Sequence, residues 1–239
     1  MKKFNKTAIM QPYIFPYIGY YQLLNAVDTF VILDDVNFIM RGWINRNNIL
    51  VNGKPFLFSL PLKNASQNNY IQHTQLAFDE KGKNKFLKTF HMAYKKAPYF
   101  DAFYPFLQDI ILFPEEDLTS YIHNSLTKTL QYLDIKKNIL RSSRIEKDNT
   151  LKAEARIIEI CRKTDTDLYI NPSGGKSLYQ KEDFEKHNIT LKFINTVFDD
   201  IKYKQFNDNY ISNLSFLDIL MFNSTEQIKT YLGKYTLND

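Results

Sequence analysis

Thr7-Ala8-Ile9-Met10-Gln11-Pro12-Tyr13-Ile14-Phe15-Pro16-Tyr17-Ile18-Gly19-Tyr20-Tyr21 is the stretch that decides the fold. Its apolar start stops abruptly at Gln11-Pro12, and a loop with two prolines then feeds an apolar segment from Tyr21 to Val27. A second apolar run, Thr29 to Leu33, ends on the adjacent carboxylates Asp34-Asp35. The pattern predicts strand, rigid loop, helix, strand, acidic loop. In an open α/β sheet a ligand sits beyond the carboxyl ends of the strands, which places Gln11 and Asp34-Asp35 together at a site.

Outward from that unit, Ile49-Leu50-Val51 and Pro55 to Leu60 flank Asn52-Gly53, a dipeptide that closes tight β-hairpins. Asn64 to Gln72 is polar and reads as a flexible lid. From Asp79 the period lengthens: Phe86, Phe90, Tyr94 and Ala97, then Phe103 to Ile111, then Leu118 to Leu133, trace three amphipathic helices. This helical block, about 79–134, is expected to be a subdomain within one α/β domain spanning 1–239. Asn138-Ile139-Leu140, Asp167 to Ile170 and Ile189 to Ile194 read as strands, with a helix from Leu151 to Arg162. Ser215 with Asp218 and Ser224 with Gln227 have capping-box spacing. The class is therefore α/β: a mainly parallel, Rossmann-like sheet with a β-hairpin and an inserted helical block.

Composition narrows the rest. With 44% hydrophobic residues in 239, the chain can bury a substantial core, and seven Gly and eight Pro leave no room for low-complexity linkers. The single cysteine excludes an intrachain disulfide, and the apolar run near the start is too short for a signal peptide or a membrane span. A cytoplasmic protein is the expectation. The excess of 31 Lys and Arg over 26 Asp and Glu is mild but uneven. Lysines crowd between Lys81 and Lys96, and Lys136, Lys137, Arg141 and Arg144 form a second cluster. Either is solvated surface or attracts a phosphate-bearing partner.

The candidate chemistry gathers near the first strand end. Gln11 can donate and accept, and Asp34 or Asp35 can serve as general base. Arg41 and Arg46 flank Trp43, a pattern suited to gripping phosphate while the indole stacks a ring. Ser173-Gly174-Gly175, after a strand, can turn backbone N–H groups toward an anion. His91 is a second candidate base. The four histidines and one cysteine lack metal-ligand spacing, so no metal is expected.

The strand, Pro-rich loop and Gly-containing helix start is similar to the layout of the HxGH adenylate-forming and nucleotidyltransferase proteins. Tyr17 and Tyr20 occupy the two histidine positions, and ATP is a candidate cosubstrate on that likeness alone. At the same residues the chain resembles the WbqC-like family. The resemblance is carried by Gln11 to Tyr20, Ala26 to Val31, Leu33 to Val36, Trp43-Ile44-Asn45-Arg46-Asn47, Lys96 to Phe100, Ser173-Gly174-Gly175 and Leu214 to Asp218. Departures are Gly42 just before Trp43 and Met92 just after His91. The resemblance implies a role in surface-polysaccharide or O-antigen biosynthesis and a glycine-transferase activity. Its implied substrate is a nucleotide-linked amino sugar, with an aminoacyl-tRNA or an amino acid plus ATP as donor. On that reading Gln11, Asp34, Asp35 and His91 are catalytic. Tyr13, Tyr17, Tyr20, Arg41, Trp43, Asn45, Arg46, Ser173, Gly174 and Gly175 bind substrate. A non-catalytic nucleotide-sugar-binding protein of the same pathway is the rival reading, and a nucleotidyltransferase the third.

Overall fold

The computed structural model describes residues 4–206 and 209–239. The opening charges of the chain, at 1–3, lie outside the described residues. The elements run β1 (Lys6–Met10), α1 (Ile18–Ala26), β2 (Thr29–Ile32), then the hairpin β3 (Arg46–Val51) and β4 (Lys54–Ser59). The short pair β5 (Leu62–Lys63) and β6 (Gln75–Leu76) precedes α2 (Glu80–Tyr94), α3 (Phe100–Ile111) and α4 (Leu118–Tyr132). There follow β7 (Asn138–Arg141), α5 (Ala153–Lys163), β8 (Leu168–Pro172), α6 (Lys181–Glu185) and β9 (Thr190–Thr196). The chain closes with α7 (Phe216–Phe222), α8 (Thr225–Leu232) and β10 (Tyr235–Asn238).

The central sheet has the order β10-β9-β8-β1-β2-β7, parallel except for β10. All four residues of β2 are buried, as a strand covered on both faces requires. Alternation splits the apolar side chains between two layers. Ala8, Phe30, Ile170 and Ile194 face α1, the α2–α4 block, α7 and α8, while Ile9, Val31, Tyr169 and Leu191 face α5 and α6. Tyr21 stacks on Phe216 at 4.1 Å within the first layer. The helical block thus shares one continuous core with the sheet rather than enclosing its own.

Three details differ from the sequence reading. The 64–72 lid is stitched down by backbone bonds, Phe38 N to Asn69 O (2.8 Å), Ile71 N to Val36 O (2.9 Å) and Gln72 N to Asp34 O (2.8 Å). Those bonds satisfy polar backbone that the residue types alone leave open. Ser224 caps α8 through Gln227 N, but Ser215 makes no cap bond at α7. Asp218 is instead drawn into the core, where it accepts from Tyr94 (3.0 Å), Tyr203 (2.6 Å) and Gln205 (2.7 Å). The edge strand β10 is not legible in the sequence, because four alternating residues, Tyr235 to Asn238, are too short a run to mark a strand. The Asn52-Gly53 hairpin forms with positive φ at both residues, but as a separate two-stranded sheet. No helix among the described residues is long and apolar enough to cross a membrane.

Candidate active site at the carboxyl edge of the sheet

β1 leads through α1 to β2 on one side, while β8 leads through α6 to β9 on the other. The winding reverses between β1 and β8, and in such sheets the crevice lies outside the carboxyl ends of those two strands. The pairs Lys6–Leu168 and Thr7–Tyr169 set the register; continued, it carries Gln11 alongside Ser173. Leu33 N donates to Met10 O (2.7 Å), so Gln11 and Asp34 leave neighbouring strands side by side. Three of the predicted groups therefore meet at one edge.

The loop after β1 is held rigidly. Asn47 Nδ2 donates to Phe15 O (2.6 Å), Ile14 N to Ile44 O (3.0 Å) and Phe216 N to Pro16 O (2.9 Å). Phe15 sits at φ 41°, a strained value for a side-chain-bearing residue, its ring fixed against Phe58 and Phe90. Gly19 is required by contact: a Cβ there would lie 2.4 Å from the Tyr17 ring and 2.8 Å from Thr196 Oγ1. Tyr20 is a core residue, packed on Phe30 with its hydroxyl donating to Gln11 O (3.1 Å). It positions the Gln11 backbone. Tyr13 stands edge-on to Tyr20 and tilted against Trp43, each at 6.2 Å. Burial, reinforced by Tyr17, raises the Tyr13 hydroxyl above its usual range against an opposing pull from Arg46, and burial likewise raises Tyr17. Both phenols are neutral hydrogen-bond donors at ordinary pH.

Trp43 is 49% exposed, with the Arg46 guanidinium 5.5 Å above its ring. Arg46 also donates to Gly42 O (2.8 Å) and to Arg41 O. Those bonds close the turn in which Arg41 holds φ 60°. Arg46 therefore braces the indole, and Arg41, exposed, carries the charge that faces solvent. Asn45 Nδ2 donates to Leu60 O (2.8 Å), tying this loop to the hairpin.

At the β8 end, Ser173 and Gly174 are exposed, and nothing lies within 4 Å of a Cβ built on Gly174. Gly175 has no such room, since a Cβ would fall 2.2 Å from Asn171 Nδ2. Residues Ser173–Leu178 turn as a 3₁₀ segment. Lys176 is turned away, donating to Asp239 O (2.6 Å).

The acidic pair sits at the other flank, between β2 and β7. Asp34 is 0% exposed and accepts from Arg141 Nε (2.8 Å), Ser143 N (2.9 Å) and Ser143 Oγ (2.8 Å). Arg141 also donates to Asp117 (3.0 Å) and Ser120 (3.0 Å). Asp35, 5% exposed, pairs with Lys147 Nζ (2.7 Å) and accepts from the Ser142 hydroxyl. Its carbonyl takes a bond from Arg156 Nη1 (2.6 Å). Burial pushes the Asp35 carboxyl up, but Lys147, Ser142 and Arg156 outweigh it and hold the group below the ordinary carboxylate value. Lys147, Ser142, Ser143 and Arg156 are the residues sequence reasoning missed. Spacing cannot reveal them, because they join the carboxylates across more than a hundred residues. The sequence marks Arg141 and Arg144 only as part of a basic cluster. In that cluster Lys137 donates to Asn25 O and Val27 O, which leaves Lys136 and Arg144 as the exposed charges.

Beyond Arg141 opens a cavity of about 610 Å³ lined by Ser120, His123, Asn124, Arg141 and Arg144, among others. Burial, with Arg141 adding to it, lowers the His123 pKa against a hydrogen bond that the imidazole donates to the Ile139 carbonyl. His91 lies elsewhere. It stands edge-on to Phe100 (5.4 Å) and Tyr104 (5.7 Å) between α2 and α3, and no described contact joins it to the acidic pair. Among the described residues no cluster of three or more His, Cys, Asp or Glu could hold a metal ion.

Fold and edge together define a doubly wound α/β protein with an aromatic and amide crevice beside a buried acid–base network. The chain belongs to the WbqC-like protein family, whose model matches residues 11–230. It is 25% identical over 230 residues to the uncharacterized protein Rv1507c of Mycobacterium tuberculosis, covering 95% of this chain and 97% of that one. No solved structure matches.

Proposed function

We propose that this protein transfers an aminoacyl group, glycyl being the simplest, to the amine of a nucleotide-linked amino sugar in surface-polysaccharide or O-antigen assembly. The observation that carries the reading is the switch-point crevice. There the β1–β8 register carries Gln11 alongside the exposed Ser173-Gly174 turn, and the exposed Trp43 indole stands next to Tyr13. Trp43 and Tyr13 stack a ring of the nucleotide sugar, Arg41 and the Ser173-Gly174-Gly175 turn meet its phosphates, and Asn45 and Arg46 hold that wall in place. Gln11 and the neutral Tyr17 phenol donate to the oxyanion that forms as the amine attacks the acyl carbon.

Deprotonating the ammonium falls to Asp35, the less enclosed carboxylate. As the amide bond forms the donor's acyl–oxygen bond breaks, the departing tRNA ribose oxygen takes the proton back from Asp35 (a departing AMP needs none), and the amine's second proton goes to water. Asp34 anchors Arg141 and shapes the edge. Glycyl donors remain two, a charged tRNA or glycine with ATP. Tyr17 and the buried Tyr20 in place of histidines weigh against ATP chemistry. A second reading, nucleotide-sugar binding without catalysis, is favoured by the ion pairs that occupy both carboxylates.

Purified protein incubated with amino-sugar nucleotides and either donor, followed by mass spectrometry, tests the proposal. A glycyl adduct supports it, whereas nucleotide-sugar binding with no adduct from either donor sinks the transferase reading and leaves the second. Gln11→Ala and Trp43→Ala are the informative variants. Asp35→Asn strands the buried Lys147, so its turnover is read only beside its thermal melt.

A further inference from the structure

A second surface lies on the opposite flank of the hairpin, formed by α2 and β4, and the proposed transferase reading makes no use of it. Lys81, Lys85, Lys88 and Met92 recur at steps of three and four residues along α2, so they line one outer face of the helix. Lys95 and Lys96 extend the line just past its end. All five lysines are exposed, and among the described residues none makes an ion pair. The acids near this face are at the helix start: Asp79 is engaged in capping, accepting from Gly82 N (2.7 Å), and Glu80 follows it. Lys83, on the opposite side, turns inward to donate to Phe113 O (2.5 Å). Among the described residues the positive stripe is therefore continuous and unanswered.

Beside this stripe runs an apolar groove. A cavity of about 370 Å³ opens between β4 and α2, walled by Phe56, Leu57, Phe58, Pro61, Phe78 and Phe86, with Lys85 at its rim. Phe56 and Leu57 are 46% and 48% exposed, and Met92, within the stripe itself, is 60% exposed. Large apolar side chains left in water beside an unpaired row of lysines is not what a merely solvated face needs. A solvated helix face would carry acids among the lysines and no open groove. An anionic lipid surface satisfies both halves, because its headgroups neutralise lysines while its acyl region takes the apolar side chains. Nucleic acid would answer the charge but could stack a base only on the exposed Phe56, leaving Leu57 and Met92 in water.

We propose that the α2–β4 face docks on anionic phospholipid bilayers, with Phe56, Leu57 and Met92 entering the acyl boundary and Lys81, Lys85, Lys88, Lys95 and Lys96 meeting the headgroups. Attachment is peripheral. Co-sedimentation of the full chain with phosphatidylglycerol vesicles, with phosphatidylcholine vesicles as control, tests it. Binding to the anionic vesicles alone is expected, weakening as salt rises. A lysine near an anionic surface contributes about fivefold to partition, so Lys85→Glu with Lys88→Glu should lower binding at least ~20-fold. Leu57→Asp, at an exposed position, should lower it several-fold with an unchanged thermal melt. Three results would overturn the inference: no binding to anionic vesicles, equal binding by all variants, or the same lysine dependence seen with an RNA oligonucleotide but not with vesicles.

Discussion

Two buried carboxylate centres hold this molecule together by different chemistry. At the carboxyl edge, Asp34 and Asp35 are answered by cations: Arg141, Lys147 and Arg156. Under α7, Asp218 is equally enclosed but answered by neutral donors, the Tyr94 and Tyr203 hydroxyls and the Gln205 amide. The pKa directions diverge accordingly. Cation pairing overcomes burial at Asp35, whereas burial overcomes the three hydrogen bonds at Asp218 and raises it. A centre built from charge pairs creates an oriented field at the sheet edge, where a reaction can use it. The centre built from neutral donors ties α2 and α7 to Tyr203 and Gln205 without a charge pair.

The contrast is broken most forcefully at Arg141. Arg141→Met leaves Asp34 buried and charged with only serine donors, and should cost about 3–5 kcal/mol in urea unfolding. A loss below 1 kcal/mol would mean the edge does not depend on its cations. At the other centre, Tyr94→Phe removes the bond to Asp218 and the acceptor for Leu50 N (3.0 Å). The expected loss is smaller, about 1–3 kcal/mol.

Acid titration separates the two by sign. Asp35, depressed in the folded state, contributes stability above its unfolded pKa that is lost as pH falls through the folded value. Asp218, raised in the folded state, does the reverse: its contribution improves as pH falls below the folded value toward the unfolded one. The destabilisation caused by Asp35→Asn should therefore hold down to about pH 4 and shrink only below it, whereas that caused by Asp218→Asn should already grow as pH falls from about 7 to about 4. Parallel trends in urea midpoints would refute the distinction. The least effect on stability is expected at Trp43→Ala, within about 0.5 kcal/mol since the indole is half exposed, combined with loss of nucleotide-sugar binding measured by calorimetry.

The sequence was legible where one segment determines its own state. The β1–α1–β2 unit, the Asn52-Gly53 turn and the helices around Phe90, Phe103 and Leu126 follow from local periodicity and stand where expected. Gln11 beside Asp34 was foreseeable for the same reason, since adjacent parallel strands carry their loops to one edge. What could not be read was who answers the carboxylates. Ser142, Lys147 and Arg156 have no spacing relation to Asp34-Asp35, and an exposed acidic loop and a buried ion-pair centre are spelled alike. Asp218 misled in the opposite way: its distance from Ser215 fits a helix cap, but Tyr94, 124 residues away, claims it. Arg41 and Arg46 look symmetric about Trp43, yet the positive φ at Arg41 turns its carbonyl toward Arg46 and makes the two unequal.

The pairing of β1 with β8 also sets a schedule for synthesis. Asn5 N meets the Asp167 carboxylate across a separation of 162 residues. At about 5–20 residues per second, a ribosome takes roughly 10–30 s to supply the partner of β1. Through that interval the central strand of the sheet has one side unfilled, and its Ala8-Ile9-Met10 edge is open to any other nascent chain nearby. Recombinant yield should therefore improve with slower initiation or cooler growth, which thin the population of half-made chains, more than with changes to the finished fold.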